Sequence, residues 1–265
     1  MSRSPASEPA DLGRIREALV LAGEVLRRIP RDQLALEHKT GGEPVTRADR
    51  AVDAALRGTL LRPGEGWLSE ETEDDPVRLG CARVWVVDPI DGTRQLVDGI
   101  PEWCVSVALV VDGEPIAGGT LNPLAGETFL GHRDSGAFLN DVPVRVAART
   151  ALAGAEILAS RSEAGRGEWE RFRAAPFRVR AVGSVAYKLS LVAAGRADAT
   201  FSLVPKHEWD VAAGVALVRS AGGSVRFVGG AVHGFNGPSA RVPGMIAGPA
   251  PLAAAIEDYL AREAR

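Results

Sequence analysis

Arg83-Val84-Trp85-Val86-Val87-Asp88-Pro89-Ile90-Asp91-Gly92-Thr93 is the stretch of sequence that decides the fold. Its first five residues include β-branched and aromatic side chains, which predicts a buried strand. Pro89 and Gly92 then favour a turn, so we expect Asp88 and Asp91 to lie together on a tight turn where that strand ends. Carboxylates held close together repel each other, and a divalent cation would relieve that repulsion. Hard oxygen ligands of this kind suit Mg²⁺, which takes one or two protein carboxylates together with waters and phosphate oxygens.

The composition of the chain is that of an ordinary globular protein. Its 265 residues suffice for one large domain or two modest ones, and they are 46% hydrophobic and 25% charged. The formal net charge of −3 gives no support for binding a nucleic-acid polymer, which usually leaves a basic surface. An anionic small-molecule substrate would therefore have to be attracted by local cations.

Cysteine usage and hydropathy indicate where the protein works. Cys81 and Cys104 are too few for a disulfide framework, and they favour reduced thiols in the cytoplasm. Residues 1–10 lack the apolar core of a secretory signal, and no run of roughly 18 apolar residues predicts a membrane span. We therefore expect a cytoplasmic protein that acts on a small molecule and has no membrane or nucleic-acid partner.

The pattern of the first half, residues 1–150, predicts two helices and then strands. Apolar residues at helical spacing predict one helix that ends near Pro30 and another that ends before Pro63. The second of these follows the capping-box sequence Thr46-Arg47-Ala48-Asp49. Alternating segments from residue 104 to residue 146 predict an antiparallel series of strands with a hairpin turn at Asp112-Gly113. This half is expected to be an α+β unit that carries most of the candidate ligands.

The second half, residues 151–265, shows short strands that alternate with helices. The predicted strands are 156–159, 177–182, 199–203, 224–228 and 245–247, and the predicted helices lie at 168–174, 185–194, 211–221 and from 252 onward. Such alternation favours an α/β layer. The Arg-rich stretch 161–180 is expected to be a solvated face, because charged side chains usually stay exposed. This half would supply Asp210 and the residues on the substrate side.

Three acidic positions could carry chemistry, and each also has a plainer explanation. The first is Glu70, the second is the pair already described after the first strand, and the third is Asp210. Glu70 could be one solvated acid in the loop patch 70–75, because acids usually remain exposed. Asp210 could be no more than a helix N-cap, and Thr93 could be another. The residues alone leave these alternatives open.

The order of the motifs resembles that of the inositol monophosphatase superfamily, the Mg²⁺-dependent, lithium-sensitive phosphatases. The family's first signature is similar, residue for residue, to Trp85–Thr93, and its second to Trp209–Gly214 with the helix that follows. Ser69-Glu70-Glu71 resembles its upstream acidic pair, and Val45–Asp49 its early helix start. The match extends over roughly residues 12–262. It implies a layered α/β/α/β/α sandwich, commonly assembled as a homodimer.

The resemblance also implies the ligands and roles of the site. One Mg²⁺ would be held by Glu70, Asp88 and the backbone carbonyl of Ile90, and a second by Asp88, Asp91 and Asp210, with a third, weaker site near Glu70. Two such cations can activate water and stabilise the attacking and leaving oxygens of an in-line displacement. Glu70 and Thr93 would orient the attacking water. Gly92 would let the backbone approach the phosphate, to which the N-terminus of the next helix would present its N–H groups.

Residues beside the first motif resemble one branch of the superfamily. Inositol monophosphatases proper usually continue with Thr-Asn-Phe, whereas this chain has Arg94-Gln95-Leu96. Three other segments look closer to the 3′(2′),5′-bisphosphate nucleotidases: Pro101–Trp103, Gly183–Lys188 and Lys206–Asp210. A second substrate phosphate would need extra cations, for which Arg94, Lys188 and Lys206 are the candidates.

Other functions stay open from the sequence. Related enzymes hydrolyse inositol 1-phosphate, fructose 1,6-bisphosphate and histidinol phosphate, and each candidate cation could instead be an ordinary surface residue. A non-catalytic phosphate-binding regulator would be expected to lack a ligand, whereas all the expected ligands are present. The 4 histidines show no zinc-type spacing, and no strand–GxGxxG–helix nucleotide loop is indicated.

Overall fold

A computed structural model describes residues 9–30, 37–38, 44–230 and 234–263. Its helices are α1 Ala10–Arg28, α2 Arg47–Leu60, α3 Thr93–Val97, α4 Arg161–Gly165, α5 Val185–Ala193, α6 Glu208–Ser220 and α7 Ala250–Glu263. Its strands are β1 Glu37–His38, β2 Pro44–Val45, β3 Gly66–Ser69, β4 Arg83–Asp91, β5 Cys104–Val111, β6 Glu114–Asn122, β7 Glu127–His132, β8 Gly136–Leu139, β9 Val142–Val144, β10 Glu156–Ser160, β11 Arg178–Val182, β12 Ala199–Ser202, β13 Lys206–His207, β14 Ser224–Phe227, β15 Arg241–Val242 and β16 Met245–Gly248. The 3₁₀ turns Pro76–Gly80 and Glu170–Phe172 complete the elements used below.

The larger sheet has seven strands in the order β3-β4-β5-β6-β7-β8-β9. Every neighbouring pair is antiparallel except β3 and β4, which run parallel. The predicted antiparallel series is therefore confirmed. Its hairpin turn at Asp112 and Gly113 has φ values of 50° and 80°, as the tightest hairpin turns require. The parallel edge strand β3 brings Glu70, the residue that follows it, beside β4.

The two faces of this sheet pack against two different helical layers. Trp85 and Val87 of β4 lie in a core cluster with apolar residues of α1 and α2. Val84 and Val86 point to the other face and lie in a cluster with α5 and α6. Because side chains alternate along a strand and both faces are covered, the whole segment is buried, which explains its continuous apolar sequence.

The smaller sheet has five strands in the order β11-β10-β12-β16-β14. Leu158 and Met245 on one face belong to the cluster with α5 and α6. Ile157 and Ala159 on the other face pack with α7. The layers are thus helices, seven-stranded sheet, helices, five-stranded sheet and helices, which confirms the predicted α/β/α/β/α sandwich. No helix among the described residues is long and apolar enough to cross a membrane.

Two predicted elements differ in the structure. The helix expected at 168–174 is only the 3₁₀ turn Glu170–Phe172, and a separate short helix, α4, precedes it. Gly167, with φ 77°, lies between them and interrupts helical geometry. The strand expected over 137–146 is two strands, β8 and β9, because Asn140 and Asp141 turn the chain with φ values of 47° and 65°.

Candidate active site

A cavity of about 420 Å³ opens at the end of β4, beside α3, α5 and α6. Ser160, Arg161 and Ser162, at the start of α4, form part of its wall. The structure brings together at this cavity all ten residues that the sequence predicted for the site: Glu70, Asp88, Ile90, Asp91, Gly92, Thr93, Arg94, Lys188, Lys206 and Asp210. Residues from both halves of the chain therefore face one space.

A β-bulge in β4 orients the first two carboxylates. Asp88 lies opposite Ser106 of β5 and Asp91 opposite Cys104, so two intervening residues of β4 face a single residue of β5. Residues three apart on a regular strand point to opposite faces. The extra residue of the bulge reverses this alternation, and both carboxylates line the same cavity.

The sequence predicted a turn formed by Pro89 and Gly92, and the chain turns at Gly92 but not at Pro89. β4 continues through Pro89 to Asp91, because a bulge tolerates a residue without an N–H donor. Gly92 then adopts φ 104°, and a β-carbon at this position would lie 2.9 Å from the Cβ of Trp103. A glycine is therefore needed at the turn that leads into α3.

Asp88 is more deeply buried than Glu70, Asp91 or Asp210, with 1% of its surface exposed. Its Oδ1 accepts a hydrogen bond of 3.0 Å from the backbone N–H of Ile90. Burial raises the pKa of Asp88 well above its ordinary value, and the nearby charges of Glu70, Asp91 and Asp210 raise it further. A cation bound beside Asp88 would therefore stabilise its carboxylate form.

Asp91 is held by the start of α5. Its Oδ2 accepts hydrogen bonds from Ser184 Oγ at 2.7 Å and from the backbone N–H of Ala186 at 2.6 Å. Burial raises the pKa of Asp91, and these two hydrogen bonds oppose the rise. Ser184 has φ 58°, a strained conformation for a residue with a side chain. The strain accompanies a contact that orients a carboxylate of the site.

Asp210 and Glu70 come from opposite halves of the chain. Asp210 Oδ2 accepts a hydrogen bond of 3.1 Å from the backbone N–H of His207, so Asp210 caps α6 and also lines the cavity. Burial raises the pKa of Asp210 well above its ordinary value, and the charges of Asp91 and Glu70 add to the rise. The backbone N–H of Glu70 donates to the carbonyl of Val87 at 3.3 Å, which fixes Glu70 beside β4.

Thr93 contacts an acid that the sequence indicated only as part of a helix cap. Its Oγ1 lies 3.1 Å from Asp49 Oδ1 and 3.2 Å from the carbonyl oxygen of Ile90. Asp49 Oδ2 accepts from the N–H and hydroxyl of Thr46 at 2.8 and 2.6 Å. Burial raises the pKa of Asp49, against the effect of these hydrogen bonds. The capping box of α2 thus holds the acceptor that orients the Thr93 hydroxyl.

Lys188 is a buried cation in the wall of the cavity, with 4% of its surface exposed. Burial lowers its pKa to about 8, although the charge of Glu163 opposes this shift. The part of the chain that the structure describes places no carboxylate within salt-bridge distance of its Nζ. A buried ammonium group without a paired anion is unfavourable, and an anion in the cavity would stabilise it.

Lys206 and Arg94 occupy other positions around the cavity. Lys206 Nζ lies 3.4 Å from Glu163 Oε1, and Glu163 Oε2 accepts a hydrogen bond of 3.1 Å from Trp169 Nε1. Arg94, in the first turn of α3, is exposed. Lys188, Lys206 and Arg94 thus place three cationic side chains around the cavity that the carboxylates line.

The donor set of the site fits a hard divalent cation. Among the described residues, no group of three or more histidine, cysteine, aspartate or glutamate side chains is arranged to hold a metal ion. Asp88, Asp91 and Asp210 each have one oxygen engaged by an N–H or O–H donor. Mg²⁺ would bind their other oxygens and would offset the repulsion that raises their pKa values.

Several residues of the site were not indicated by the sequence. Asp49 had a local signal, the capping box, but that signal did not indicate a role at the cavity. Ser184 lies in the segment Gly183–Lys188 that resembles the nucleotidases, but no local pattern indicated its contact with Asp91, which joins distant positions. Arg161 and Glu163 belong to the Arg-rich stretch expected to be solvated. Arg161 instead donates to both oxygens of Glu102, at 2.7 and 2.6 Å, and lines the cavity.

Comparisons with known proteins agree with this geometry. The model of the inositol monophosphatase family matches residues 11–262. The chain is 37% identical over 220 residues to an inositol-1-monophosphatase of Rhizobium meliloti, an alignment that covers 78% of this chain and 81% of that protein. The crystal structure of the extragenic suppressor protein SuhB from Bartonella henselae superposes with a TM-score of 0.79 and 32% identity, covering 96% of this chain and 98% of that one. CysQ from Bacteroides thetaiotaomicron gives a TM-score of 0.76 and 26% identity, covering 91% and 97%.

Proposed function

The chain belongs to the inositol monophosphatase family, and from this premise we propose that it is a Mg²⁺-dependent enzyme whose preferred substrate is a nucleoside 3′(2′),5′-bisphosphate. As a family member it is a phosphoric monoester hydrolase, the activity named for relatives such as the inositol-1-monophosphatase. The proposal goes beyond that activity in two respects: it assigns the residues that perform the hydrolysis, and it names the features of the substrate that they select.

The clustered carboxylates are the observation that supports a metal-assisted reaction. In this proposal Glu70, Asp88 and the carbonyl of Ile90 would hold one Mg²⁺, and Asp88, Asp91 and Asp210 a second. The chemistry that Mg²⁺ contributes when bound is Lewis-acid stabilisation of the phosphoryl oxygens and activation of water. Without cations, phosphate would approach a surface of like charge, so the same carboxylates that hold the metal make metal-free binding unfavourable.

Thr93 and Asp49 account for the orientation of the attacking water. The Thr93 hydroxyl has one proton and two candidate acceptors, Asp49 Oδ1 and the carbonyl of Ile90. If the carbonyl of Ile90 serves as a ligand, the Thr93 hydroxyl donates its hydrogen bond to Asp49 Oδ1. A lone pair of Thr93 Oγ1 can then accept a hydrogen bond from water, with Glu70 as the other acceptor. Asp49 thereby fixes which way the hydroxyl points.

The single observation that carries the substrate preference is the buried Lys188. It lines the same cavity as the carboxylates, and no carboxylate oxygen of the described residues lies within salt-bridge distance of its Nζ, although the charges of Glu163 and Asp91 act on it. At neutral pH an ammonium group with a pKa of about 8 is largely charged. A second phosphate on the substrate would supply the missing anion, whereas an uncharged hydroxyl of a polyol would not.

We infer that a recess next to Lys206, which shares no lining residue with the cavity, would receive the base of the leaving group. Leu203 and Val204 are 36% and 50% exposed and line this recess of about 60 Å³ together with Trp169 and Phe201. Glu163, the ion-pair partner of Lys206, also lines this recess. An inositol ring presents a hydroxyl on every carbon and gains little from such an apolar recess, whereas the planar face of a nucleobase can pack against it.

The decisive test compares phosphate release, with saturating Mg²⁺, from 3′-phosphoadenosine 5′-phosphate, inositol 1-phosphate and fructose 1,6-bisphosphate. We expect kcat/KM to be highest for the nucleotide, by roughly ten- to a hundred-fold over inositol 1-phosphate, the range of one charge-assisted contact. Fructose 1,6-bisphosphate separates the requirement for a second phosphate from the requirement for a base.

Lys188→Met tests the residue that carries the preference. It should lower kcat/KM for the nucleotide by about tenfold or more and leave inositol 1-phosphate nearly unaffected. Arg133→Met is the matched control, since Arg133 is exposed and does not line the cavity. Equal losses on the two substrates would refute a role for Lys188 in binding a second phosphate.

Inositol-1-monophosphatase activity is the second candidate function. It is favoured by the name and 37% identity of the Rhizobium meliloti relative, which does not carry the nucleotidase assignment. A wild-type preference for inositol 1-phosphate in the same assay would select this function. Histidinol phosphate should be included as a third monoester, and the carboxylate and Thr93 chemistry would be unchanged in either case.

A further inference from the structure

Arg78 and Glu208 are two of the charged side chains that are buried outside the cavity. Arg78, in the 3₁₀ turn Pro76–Gly80, is 2% exposed, and Glu208, the first residue of α6, is fully buried. Neither lines the cavity of the candidate active site. Burying two charges is expensive, and such pairs contribute more reliably to a specific arrangement than to stability. Their contacts therefore indicate which parts of the molecule they hold in place.

Both side chains bind the same short segment, Asn236-Gly237. Glu208 Oε2 and Oε1 accept from the backbone N–H groups of Asn236 and Gly237 at 2.6 and 2.8 Å. Arg78 donates to Asn236 Oδ1 at 2.7 Å and to the carbonyl of Gly237 at 3.1 Å. Asn236 Nδ2 in turn donates to the carbonyl of Arg78 at 3.0 Å. We call these four residues the buried ion network.

The network is connected to the loop that carries Glu70. Arg78 donates to both oxygens of Asp74, at 2.6 and 2.8 Å, and Asp74 ends the loop that begins after β3. At the other end of this loop, Ser69 and Thr72 each donate to Asp53 of α2 at 2.5 Å. The loop is thus held at one end by α2 and at the other by Arg78.

The network is also connected to Asp210. Glu208 precedes Asp210 by two residues in the first turn of α6, and its own N–H donates to the carbonyl of Ala240 at 2.9 Å. A continuous series of hydrogen bonds therefore runs from the Glu70 loop through Arg78 and Asn236-Gly237 to Glu208 and the start of α6. It joins two of the carboxylate positions that come from opposite halves of the chain.

From these contacts we propose that Arg78 and Glu208 are positioning residues, which set the separation of Glu70 and Asp210 and thereby the affinity of the site for Mg²⁺. The proposal rests on the proposed function only in taking those two carboxylates as ligands. A carboxylate displaced by a fraction of an ångström costs Mg²⁺ more than it would cost Ca²⁺, because Mg²⁺ demands near-ideal octahedral geometry. Disturbing the network should therefore weaken Mg²⁺ binding selectively.

The test uses Arg78→Met and Glu208→Gln in the full chain, with calorimetric titration of Mg²⁺ into the metal-free protein as the primary readout. We expect the dissociation constant for Mg²⁺ to rise by roughly 10–100-fold, the range found for residues that orient metal ligands. The Mg²⁺ concentration that gives half-maximal phosphate release should rise in parallel. The kcat at saturating Mg²⁺ should recover most of its wild-type value, because neither side chain touches the cavity.

Glu65→Gln is the matched control. Glu65 forms a comparably buried ion pair with Arg14, in which Arg14 Nη2 and Glu65 Oε2 are 2.7 Å apart, and neither residue lines the cavity. It should lower the thermal unfolding midpoint and leave Mg²⁺ affinity unchanged. If Glu208→Gln also loses stability but binds Mg²⁺ as the wild type does, the network is merely structural and the proposal is wrong. Glu208→Gln keeps one acceptor oxygen and gives a result even if Arg78→Met does not fold. Absence of phosphatase activity in the wild type would overturn the proposed function, whereas the Mg²⁺ titration would still decide this inference.

Discussion

Burial and the charges of neighbouring acids both oppose the ionisation of Asp88. It is buried at the bulge of β4, and the charges of Glu70, Asp91 and Asp210 all oppose its ionisation. A folded protein gains nothing from this arrangement in the absence of a cation, since like charges at short range repel and burial removes the water that would screen them. The arrangement is explained by a ligand that is positively charged.

Asp88→Asn should therefore separate activity from stability. We expect phosphate release to fall on the order of 10³-fold or more, while the thermal unfolding midpoint of the EDTA-treated protein rises by roughly 2–5 °C, because a source of repulsion is removed. The two readouts are a phosphate-release assay and a thermal melt. Asp134→Asn is the control, since Asp134 is 72% exposed on its side chain, and it should change neither. Near-normal turnover of Asp88→Asn would contradict the bridging role.

Thr93 offers a second test at the level of one residue. Thr93→Val keeps the shape and removes the hydroxyl that Asp49 orients, so kcat should fall about 10²-fold with little change in KM. Thr93→Ser restores the hydroxyl and should recover most of the activity. Steady-state kinetics of the two variants provide the measurement, and equal activity of both would remove Thr93 from the chemistry.

At the level of elements, Glu65 links α1 to β4. Its carboxylate accepts from Arg14 of α1 at 2.9 and 2.7 Å, and from Trp85 Nε1 of β4 at 2.9 Å. Burial raises the pKa of Glu65, but these hydrogen bonds more than offset that effect and lower the pKa from 4.5 to about 2. The ionised form is therefore favoured by folding, and the first helical layer depends on it.

Glu65→Gln should make the stability of the protein less dependent on pH. A pKa lowered in the folded state stabilises the protein above the unfolded value of 4.5, and that contribution disappears as the pH falls toward about 2. The shift corresponds to roughly 3 kcal/mol, which we reduce to about 2 kcal/mol for solvent screening around the pair. Denaturant unfolding at neutral pH and near pH 3 should show a large and then a much smaller difference between wild type and variant. A difference that is constant with pH would contradict the assignment.

The packing of α5 on α6 depends on a glycine. A β-carbon added at Gly214 of α6 would overlap the side chain of Leu189 of α5, so Gly214→Ala should lower the free energy of unfolding by about 1–3 kcal/mol. Gly58→Ala is the matched control in α2, because nothing lies within 4 Å of the added carbon. It should stabilise the protein by about 0.5–1 kcal/mol. Denaturant unfolding measures both, and the same sign for the two variants would contradict the packing argument.

For the molecule as a whole, the sequence predicted the parts that depend on neighbours in the chain. The helical spacing in residues 12–29 and the hairpin at Asp112-Gly113 are local patterns, and both predictions are confirmed. Short elements such as α4 were missed, because a single turn has little periodicity and is fixed by tertiary packing. The bulge of β4 was predicted to be part of a turn, because a proline in a sequence is compatible with a turn and with a bulge alike.

The site divides in the same way. The residues of the first motif could be found because they are consecutive, and the structure brings them to one cavity with Asp210. The contact of Thr93 with Asp49 spans 44 positions and that of Ser184 with Asp91 spans 93. A pattern of neighbouring residues cannot indicate contacts between positions so far apart in the chain, so the roles of Asp49 and Ser184 became evident only from the structure.

The central claim is that the clustered carboxylates form a magnesium site for hydrolysis of a phosphate monoester. The measurement that tests it most directly is phosphate release by EDTA-treated protein during titration with Mg²⁺, with Ca²⁺ as the comparison cation. We predict no turnover without metal, full recovery with Mg²⁺ and failure of Ca²⁺ to replace it, because Ca²⁺ accepts irregular coordination and would not align the water. Undiminished turnover in EDTA, or full activity with Ca²⁺ alone, would contradict the account.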